Sequence, residues 1–309
     1  MNKPILSIII PAYNYAHTLT RAVNSVIAQF NKDIEVIIIN DGSTDNTENV
    51  TDKLKDKYQE KISIIHQTNK GLAGTRNRGI DASNGDYLLF LDADDELYEN
   101  AVYYILSTVK DNPGIHSIIG QHISIYPDGK RKKRFKPALK NDIEARFKQY
   151  LLDENFPIAN GSIAIHREVF KQYRYPEHLK CVEDIPVFTF ILTNYSCIVI
   201  NQPIALIHKH PDSMRNNIEL ELETGISNVD EIFSKNRLPE QLLKYKKIYT
   251  SLRYLSIFRT LYLGGRYKEA LVFYKKSLTN NPAIIIKLSY LRKALKCFLF
   301  KTHSQLKKR

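Results

Sequence analysis

Cysteine is scarce in this sequence of 309 residues, which contains only Cys181, Cys197 and Cys297. No two of them have the spacing of a metal-binding pair, and an odd number argues against a disulfide framework. A chain without disulfides suits a reducing compartment, so we expect a cytoplasmic location. Hydrophobic residues make up 43% of the chain, which is enough for a sizeable core.

Long apolar segments are missing as well. No run reaches the roughly 18 apolar residues that a membrane-spanning helix needs, so none is expected. The first ten residues, MNKPILSIII, also lack the small-residue cleavage site of a signal peptide. We therefore expect neither secretion nor insertion across a bilayer.

Acidic residues are rare in one part of the chain. From Glu240 to Arg309 there are 17 Lys and Arg against two acids, whereas the remainder has 28 against 31. The net charge of +12 therefore comes from the C-terminal part. Such a region predicts a partner with negative charge, either a membrane surface or a nucleic acid.

Four short apolar runs alternate with helical patterns in the first hundred residues. The runs are ILSIII (5–10), IEVIII (34–39), ISII (62–65) and YLLFL (87–91). Such an alternation indicates a parallel sheet that is covered by helices on both faces. Ligands of such sheets bind beyond the carboxyl ends of the strands, where this chain has PAYN, NDGSTD, HQTNKGLAGTRN and DADD. The sequence therefore predicts an α/β fold with a site at that edge.

The last of these segments places four acids directly after a buried strand: Asp92, Asp94, Asp95 and Glu96. Carboxylates that lie close together repel one another, and a bound cation would offset this cost. Asp95 and Glu96 could instead favour the first turn of a helix at about residues 98–110. That alternative leaves Asp92 and Asp94 unexplained.

Five segments in this order resemble glycosyltransferase family 2 over about residues 3–215: SIIIPAYN, INDGSTDNT, NKGLAGTRNRGI, LLFLDADD and VEDIPVF. The resemblance implies the GT-A fold, a Rossmann-like, mixed but mostly parallel sheet with helices on both faces. It implies a catalytic domain over residues 1–215, with nucleotide-sugar binding in 1–97 and the acceptor side in 98–215. A basic, helical C-terminal extension over 216–309 would follow.

The resemblance also implies residues that bind the nucleotide sugar. These are Pro11, Ala12 and Tyr13 at the nucleoside, Asp41 at a uracil N–H, Arg76 toward the phosphates, and Asp92 with Ala93 at the ribose side. Each segment has a structural alternative. PAYN is also an ordinary turn, Asp41 and Gly42 also suit a turn before a helix, and Arg76 or Arg78 could lie on a solvated helix face.

A metal site is implied at Asp94, with Asp95 and His210 as further ligands, for Mn²⁺ or Mg²⁺. Both ions prefer carboxylate oxygens and would neutralise a departing diphosphate. His208 stands where many family members have arginine, so its role stays open. Both histidines could also be ordinary surface residues.

Glu183 and Asp184 precede an amphipathic helix and are the candidates for acid–base chemistry. The resemblance implies that Asp184 takes a proton from the acceptor hydroxyl. Glu183 would support it or hydrogen-bond the acceptor. As an alternative, both acids could simply stabilise the start of the helix.

Two basic segments remain. KRKKRF (130–135) follows a PDGK turn and suits a solvated edge strand, with binding of an anionic acceptor as the alternative. The segment 283–301 has apolar residues interspersed with bases, which is typical of a helix at a membrane interface. It could instead pack on the catalytic domain. No nucleic-acid-binding motif is present, so we expect no nucleic-acid partner.

We therefore expect an inverting, metal-dependent hexosyl- or N-acetylhexosaminyltransferase that uses a UDP-sugar. The expected acceptor is a glycan, in particular a lipid-linked intermediate of a bacterial surface polysaccharide. The expected location is the inner face of the cytoplasmic membrane, bound peripherally. Two alternatives stay open: a non-catalytic nucleotide-sugar binder of the same fold, and a glycoside hydrolase that uses Asp94 and Asp184.

Overall fold

The four apolar runs near the N-terminus form four adjacent parallel strands in the computed structural model, which describes residues 3–134, 136–210 and 217–306. The strands are β1 (Leu6–Ala12), β2 (Ile34–Asp41), β3 (Ser63–Gln67), β4 (Tyr87–Phe90), β5 (Glu96–Leu97), β6 (Ser117–Ile125), β7 (Arg131–Arg134), β8 (Ile163–His166) and β9 (Cys197–His208). The sheet order is β3-β2-β1-β4-β8-β6-β9-β5, and β7 pairs with β6. The predicted α/β fold class is confirmed.

Helices connect and cover these strands. They are α1 (Leu19–Ile27), α2 (Thr47–Tyr58), α3 (Gly71–Ala82), α4 (Ala101–Asp111), α5 (Ile143–Phe147), α6 (Arg167–Gln172), α7 (Asp184–Asn194), α8 (Ile218–Thr224), α9 (Ser227–Ile232), α10 (Lys246–Leu263), α11 (Tyr267–Asn280) and α12 (Leu288–Leu306). A π-helical turn, Lys148–Leu152, directly follows α5, and short 3-10 helices occupy Gln59–Lys61, Asn160–Ser162, Glu240–Tyr245 and Pro282–Ile286.

Strands β1, β2 and β4 are almost entirely buried, as their continuous apolar runs predict, whereas β3 at the edge of the sheet is only partly buried. In β1, Ile8 and Ile10 pack into one core with α1 and α4, whereas Ile9 packs into a second core with α7. The register pairs Ala12 with Asn40, and Asp41 with Gln67. The carboxyl ends of β1, β2 and β3 therefore lie side by side.

The other half of the sheet is mixed and brings distant segments to the same edge. β8 runs antiparallel to β4, and the twelve-residue β9 runs parallel to β6. The two-residue β5 pairs antiparallel with the end of β9, through Glu96 and Leu206. This pairing holds the acidic segment after β4 beside the histidines that follow Ile207.

The predicted domain boundary at 215–216 lies outside the described residues, and the proposed division of the chain stays a prediction. The helices after residue 217 pack in two groups. Leu255, Phe258 and Ala270 form an apolar core between α10 and α11. Val229, Leu242 and Tyr249 pack instead with Phe147 and Leu151, which precede β8 in the chain. The C-terminal helices therefore share a core with residues of the predicted acceptor side.

The helix α12 and the turn before it are partly buried and partly exposed. Ile284, Ala294 and Cys297 are buried in the extension core. Ile286, 75% exposed, and Leu295, 57% exposed, lie at the surface with the bases Lys287 and Lys296. No helix within residues 3–134, 136–210 and 217–306 combines the length and the hydropathy needed to cross a membrane.

Candidate active site

Asn14 ties the loop after β1 to the loop after β2. Its backbone has a positive φ of 60°, a conformation that asparagine tolerates better than most residues. The side-chain Oδ1 accepts from the backbone N–H of Thr44 at 2.8 Å, and the Asn14 N–H donates to Ser43 Oγ at 3.0 Å. These hydrogen bonds therefore fix the position of the chain directly after Pro11–Tyr13. Pro11 and Ala12 are buried, and Tyr13 is exposed.

Asp41 is buried at the end of β2, and one of its oxygens is already bound. Oδ1 accepts from Gln67 Nε2 at 2.7 Å and from the Lys70 N–H at 2.8 Å. Gly42 follows with φ of 66°, and a Cβ there would lie 2.8 Å from the Asn69 nitrogen. Glycine is therefore required at this turn, and the loop before α3 closes over the carboxylate. Oδ2 of Asp41 has no hydrogen bond to the described residues.

Arg76 joins two acids that are far apart in the sequence. Its guanidinium donates to Asp92 Oδ1 at 2.9 Å and to Glu183 Oε1, and it lies over the Tyr175 ring, 5.2 Å from the ring centroid. Arg76 is only 1% exposed. Its charge is therefore directed at these carboxylates, while Arg78 is exposed on the solvent side of α3. Sequence patterns gave no signal for this pairing.

The acids after β4 have separate partners. Asp94 Oδ2 lies 2.7 Å from His210 Nε2, and Glu96 Oε1 lies 2.7 Å from His208 Nε2. Asp95 is buried and accepts the His208 N–H at 2.8 Å. The two histidines therefore have different contacts. His208, whose role the sequence left open, contacts the Glu96 carboxylate in this structure.

Two further residues, Tyr15 and Arg21, lie beside the acidic segment, although the sequence patterns did not point to them. Arg21 donates to the backbone oxygen of Asp94 at 2.6 Å, and its Nε lies 3.4 Å from Glu96. Burial, with the nearby charges of Asp94 and Asp92, raises the pKa of the Tyr15 hydroxyl. The only sequence signals were the position of Tyr15 just beyond the end of β1 and that of Arg21 in the first turn of α1.

Burial and nearby like charges raise the pKa of carboxylates of this site. Burial and the neighbouring charge of Asp94 raise the pKa of Asp92, whereas the charge of Arg76 opposes this shift. Burial and the neighbouring Glu183 raise the pKa of Asp184 to about 7. Asp184 begins α7 and accepts no hydrogen bond from the side chains of the described residues. A carboxylate that no side chain binds and that is half-protonated near neutral pH is suited to proton transfer.

A family model described as "Glycosyl transferase family 2" matches residues 7–174 of the chain. The chain belongs to glycosyltransferase family 2. The match covers more than half of the sequence and includes Asp41, Arg76, Asp92 and Asp94.

Relatives of this family 2 chain align over parts of their length. A protein named GalNAc(5)-diNAcBac-PP-undecaprenol beta-1,3-glucosyltransferase, from Campylobacter jejuni, is 33% identical over 151 residues, which are 48% of each chain. The matches to five other curated relatives span only 25% to 33% of the relatives' own length. These relatives therefore share a region with the present chain rather than their whole length.

Solved structures share the fold of this family member over nearly all of its length. Residues 1–349 of TarS from S. aureus superpose with a TM-score of 0.62 at 19% identity, covering 99% of this chain and 92% of that chain. The mannosyltransferase PcManGT from Pyrobaculum calidifontis, in complex with GDP-Man and Mn²⁺, gives 0.58 at 12% identity, covering 96% and 85%. At such identities the likeness establishes the fold.

Proposed function

We propose that this chain transfers a sugar from a UDP-sugar to a hydroxyl of a glycan, with inversion at the anomeric carbon. The observation that carries the proposal is Asp184, whose burial and neighbour Glu183 raise its pKa to about 7. The charge of Asp92 contributes to that shift, so the free carboxylate lies near the acidic end of β4. The site thus combines a proton acceptor with a nucleotide-binding edge of the sheet.

The loops after β1 and β2 would bind the uridine. Asp41 Oδ2 is the acceptor left for the uracil N–H, because Oδ1 is already held by Gln67 and Lys70. Pro11, Ala12 and the exposed Tyr13 would line the nucleoside, with Asp92 and Ala93 at the ribose. TarS was solved with UDP and with UDP-GlcNAc, which supports this choice of donor. Arg76, buried against Asp92, would act through that residue rather than on the phosphates directly.

A divalent metal fits the pair Asp94 and His210. No group of three or more His, Cys, Asp or Glu in the described part of the chain is placed to hold an ion by itself. However, Asp94 Oδ2 and His210 Nε2 lie 2.7 Å apart, at side chains that are 17% and 31% exposed. Mg²⁺ is commonly bound by one or two carboxylates plus phosphates of the substrate, and Mn²⁺ has similar ligand preferences. When bound, Mn²⁺ or Mg²⁺ would neutralise the charge of the departing diphosphate.

The protein residues around this position would keep it in place. Asp95 holds the backbone at His208 and so fixes the segment that carries His210. Arg21 binds the backbone oxygen of Asp94. Asp95 would therefore support the pair rather than act as a ligand itself.

The transfer step assigns different tasks to Glu183 and Asp184. Asp184 removes the proton from the acceptor hydroxyl as its oxygen bonds to the anomeric carbon. The bond from that carbon to the UDP oxygen breaks, and UDP leaves with the electron pair. Glu183 is buried and held by Arg76, so it would position the start of α7 and raise the pKa of Asp184.

We further propose that the acceptor is a lipid-linked glycan and that the chain binds the membrane from the cytoplasmic side. The Campylobacter jejuni relative is named for an undecaprenol-linked substrate. The exposed Ile286 and Leu295, beside Lys287 and Lys296, would contact an anionic bilayer. A role in bacterial surface polysaccharide synthesis would follow from that acceptor.

The test is incubation with UDP-glucose, UDP-galactose, UDP-GlcNAc and UDP-GalNAc in Mn²⁺, with UDP release as the readout. Slow release in water and faster release with a glycan acceptor are expected, with the inverted anomer seen by NMR. Donor binding without UDP release from any of the four would favour the non-catalytic binder. Cleavage of a glycan without a nucleotide sugar would favour the hydrolase.

A further inference from the structure

A cavity of about 240 Å³ lies between the acceptor side and the long helix α10 of the extension. One wall contains Tyr150 and Phe156, and the facing wall contains Tyr249 and Leu252 of α10. Ile185, the neighbour of Asp184, also lines it. Burial and the charge of Asp184 raise the pKa of the Tyr150 hydroxyl in this wall, so the cavity lies near the proposed proton acceptor.

Aromatic and hydroxyl groups make the cavity suitable for a sugar ring. The Tyr249 hydroxyl is held by Asn228 Nδ2 at 2.9 Å, so its ring has a fixed position. The hydroxyl of Tyr150 has no hydrogen bond to the described residues, and its ring packs edge-on against Phe188 at 6.5 Å between centroids. Aromatic rings offer an apolar body with a polar handle, and convergent polar groups in an apolar pocket fix a ligand's orientation.

The charges around the cavity favour an uncharged ligand. Arg253 lies in its wall, but its guanidinium binds Glu221 Oε1 at 3.2 Å and the Gly225 carbonyl at 3.3 Å. Ser256 Oγ donates to the same Glu221 oxygen at 3.1 Å. The rim adds the exposed Glu154, so no surplus positive charge is available for a phosphate or a carboxylate.

We propose that this cavity holds the terminal, uncharged sugar ring of the acceptor glycan, and that α10 forms one of its walls. The extension is then a part of acceptor recognition, and the acceptor side continues past residue 215. The volume suits one ring rather than a lipid chain, because pockets for larger ligands occupy roughly 300–1,000 Å³. This assignment rests on the proposed function, since Asp184 would act on a hydroxyl of the same ring.

The first test fills the cavity from the extension side. Binding of n-octyl glycosides of glucose, galactose, N-acetylglucosamine and N-acetylgalactosamine to the full chain, with UDP and Mn²⁺ present, would be measured by saturation-transfer NMR and titration. At least one glycoside should bind the wild type. Leu252→Trp should weaken it at least tenfold, whereas Leu263→Trp, at an exposed position on the same helix, should bind as the wild type does.

A second variant covers the case in which Leu252→Trp does not fold, which circular dichroism and UDP binding would reveal. Tyr150→Phe removes only the free hydroxyl and should weaken glycoside binding about three- to tenfold, the usual effect of one hydrogen bond. Tyr103→Phe makes the same change at an exposed position on α4 and should have no effect.

The assignment is overturned if none of the four glycosides binds, or if folded Leu252→Trp and Tyr150→Phe both bind as the wild type does. These results differ from a failure of the proposed function. Glycoside binding that both cavity variants weaken, without UDP release from any UDP-sugar, would refute catalysis and support the cavity. UDP release whose acceptor KM is the same in wild type and Leu252→Trp would refute the cavity alone.

Discussion

The carboxylates of the candidate site are chemically distinct because each has a different neighbour. Asp92 is paired with Arg76, Asp94 lies against His210, and Asp184 is left without a side-chain hydrogen bond. Arg76 opposes the burial that raises the pKa of Asp92, whereas Glu183 adds to the burial that raises the pKa of Asp184. The different neighbours therefore distinguish Asp94, the candidate metal ligand, from Asp184, the candidate base.

Asp94→Asn tests the proposed metal ligand. Removing this charge should abolish sugar transfer and weaken the Mn²⁺-dependent part of UDP binding, because the ion would lose its carboxylate. Calorimetric titration of UDP with and without Mn²⁺ measures the effect, with the exposed Asp52→Asn as the control. Full activity of Asp94→Asn in saturating Mn²⁺ would contradict the assignment.

Asp184→Asn tests the proposed base. The change is nearly isosteric, so the fold and UDP affinity should persist while turnover falls by roughly two to four orders of magnitude. Steady-state rates with the preferred acceptor, again beside Asp52→Asn, check this. Turnover close to that of the wild type would transfer the role to Glu183 or to another residue.

The raised pKa of Asp184 also predicts how stability depends on pH. Its pKa is about 7 in the fold against a usual 3.8, so the folded state favours the protonated form. The contribution of Asp184 to the free energy of unfolding is therefore fully present below pH about 4, and it is lost as the pH rises through about 7. The Tm of Asp184→Asn minus that of the wild type should therefore increase from pH 4 to pH 8. A difference that does not change with pH would show that Asp184 titrates normally.

Protonation of Asp184 should also affect activity. Because the protonated carboxyl cannot act as the base, kcat/KM of the wild type should fall as the pH drops below about 7.

At the scale of elements, Arg76 connects α3, the end of β4 and the start of α7. These three elements supply part of the proposed nucleotide-binding edge and the proposed base, and the two ion pairs fix their relative positions. A buried charge that loses its partner is strongly destabilising. The arginine should therefore matter for stability as well as for activity.

Arg76→Met should lower the free energy of unfolding by about 3–5 kcal/mol, since Glu183 would be left buried without its partner. Adding Glu183→Gln should recover part of this loss, because the uncompensated charge is removed. Urea unfolding measures both. Arg78→Met makes the same substitution at an exposed position two residues away and should change stability by no more than about 0.5 kcal/mol. Equal stability of the two single variants would refute the role of Arg76.

At the scale of the whole molecule, charge and exposed apolar surface coincide in the C-terminal part. From Glu240 onward the chain has 17 bases and two acids, and the described side chains of α12 lie partly against the extension core and partly at the surface. Deleting α12 and the turn before it would expose the core residues that pack against Ile284 and Cys297. Point substitutions at the surface therefore separate membrane binding from folding better than truncation does.

The double variant Ile286→Ser with Leu295→Ser should keep its Tm but lose most of its binding to anionic liposomes. Exposed apolar side chains supply the insertion, and each nearby base adds about 1 kcal/mol at an anionic surface, which salt screens. Co-sedimentation at low and high salt measures this. Val272→Ser with Leu263→Ser, exposed apolar positions elsewhere on the extension, is the control. If the wild type does not bind anionic liposomes, α12 is a packing element only.

The sequence by itself determined the parallel half of the sheet and the edge at which its polar residues collect. Strands β1, β2 and β4 follow from continuous apolar runs, because a strand buried on both faces has no polar alternation, and the edge strand β3 follows from a shorter apolar run. Asp41, Asp92 and Asp94 follow from their position directly after those runs. These are local features, in which neighbouring residues carry the whole signal.

Only the tertiary structure decided which distant groups meet. The pairing of Arg76 with Glu183 joins residues 107 apart, and that of Asp94 with His210 joins residues 116 apart. Both depend on the mixed half of the sheet, where β8 and β9 enter between and beside earlier strands, and no local pattern encodes that order. The same holds for the cavity beside α10, because its walls come from two parts of the chain that only packing brings together. Pairing over long sequence distances depends on the free energy of the whole fold, whereas strand and turn preferences are set by neighbouring residues.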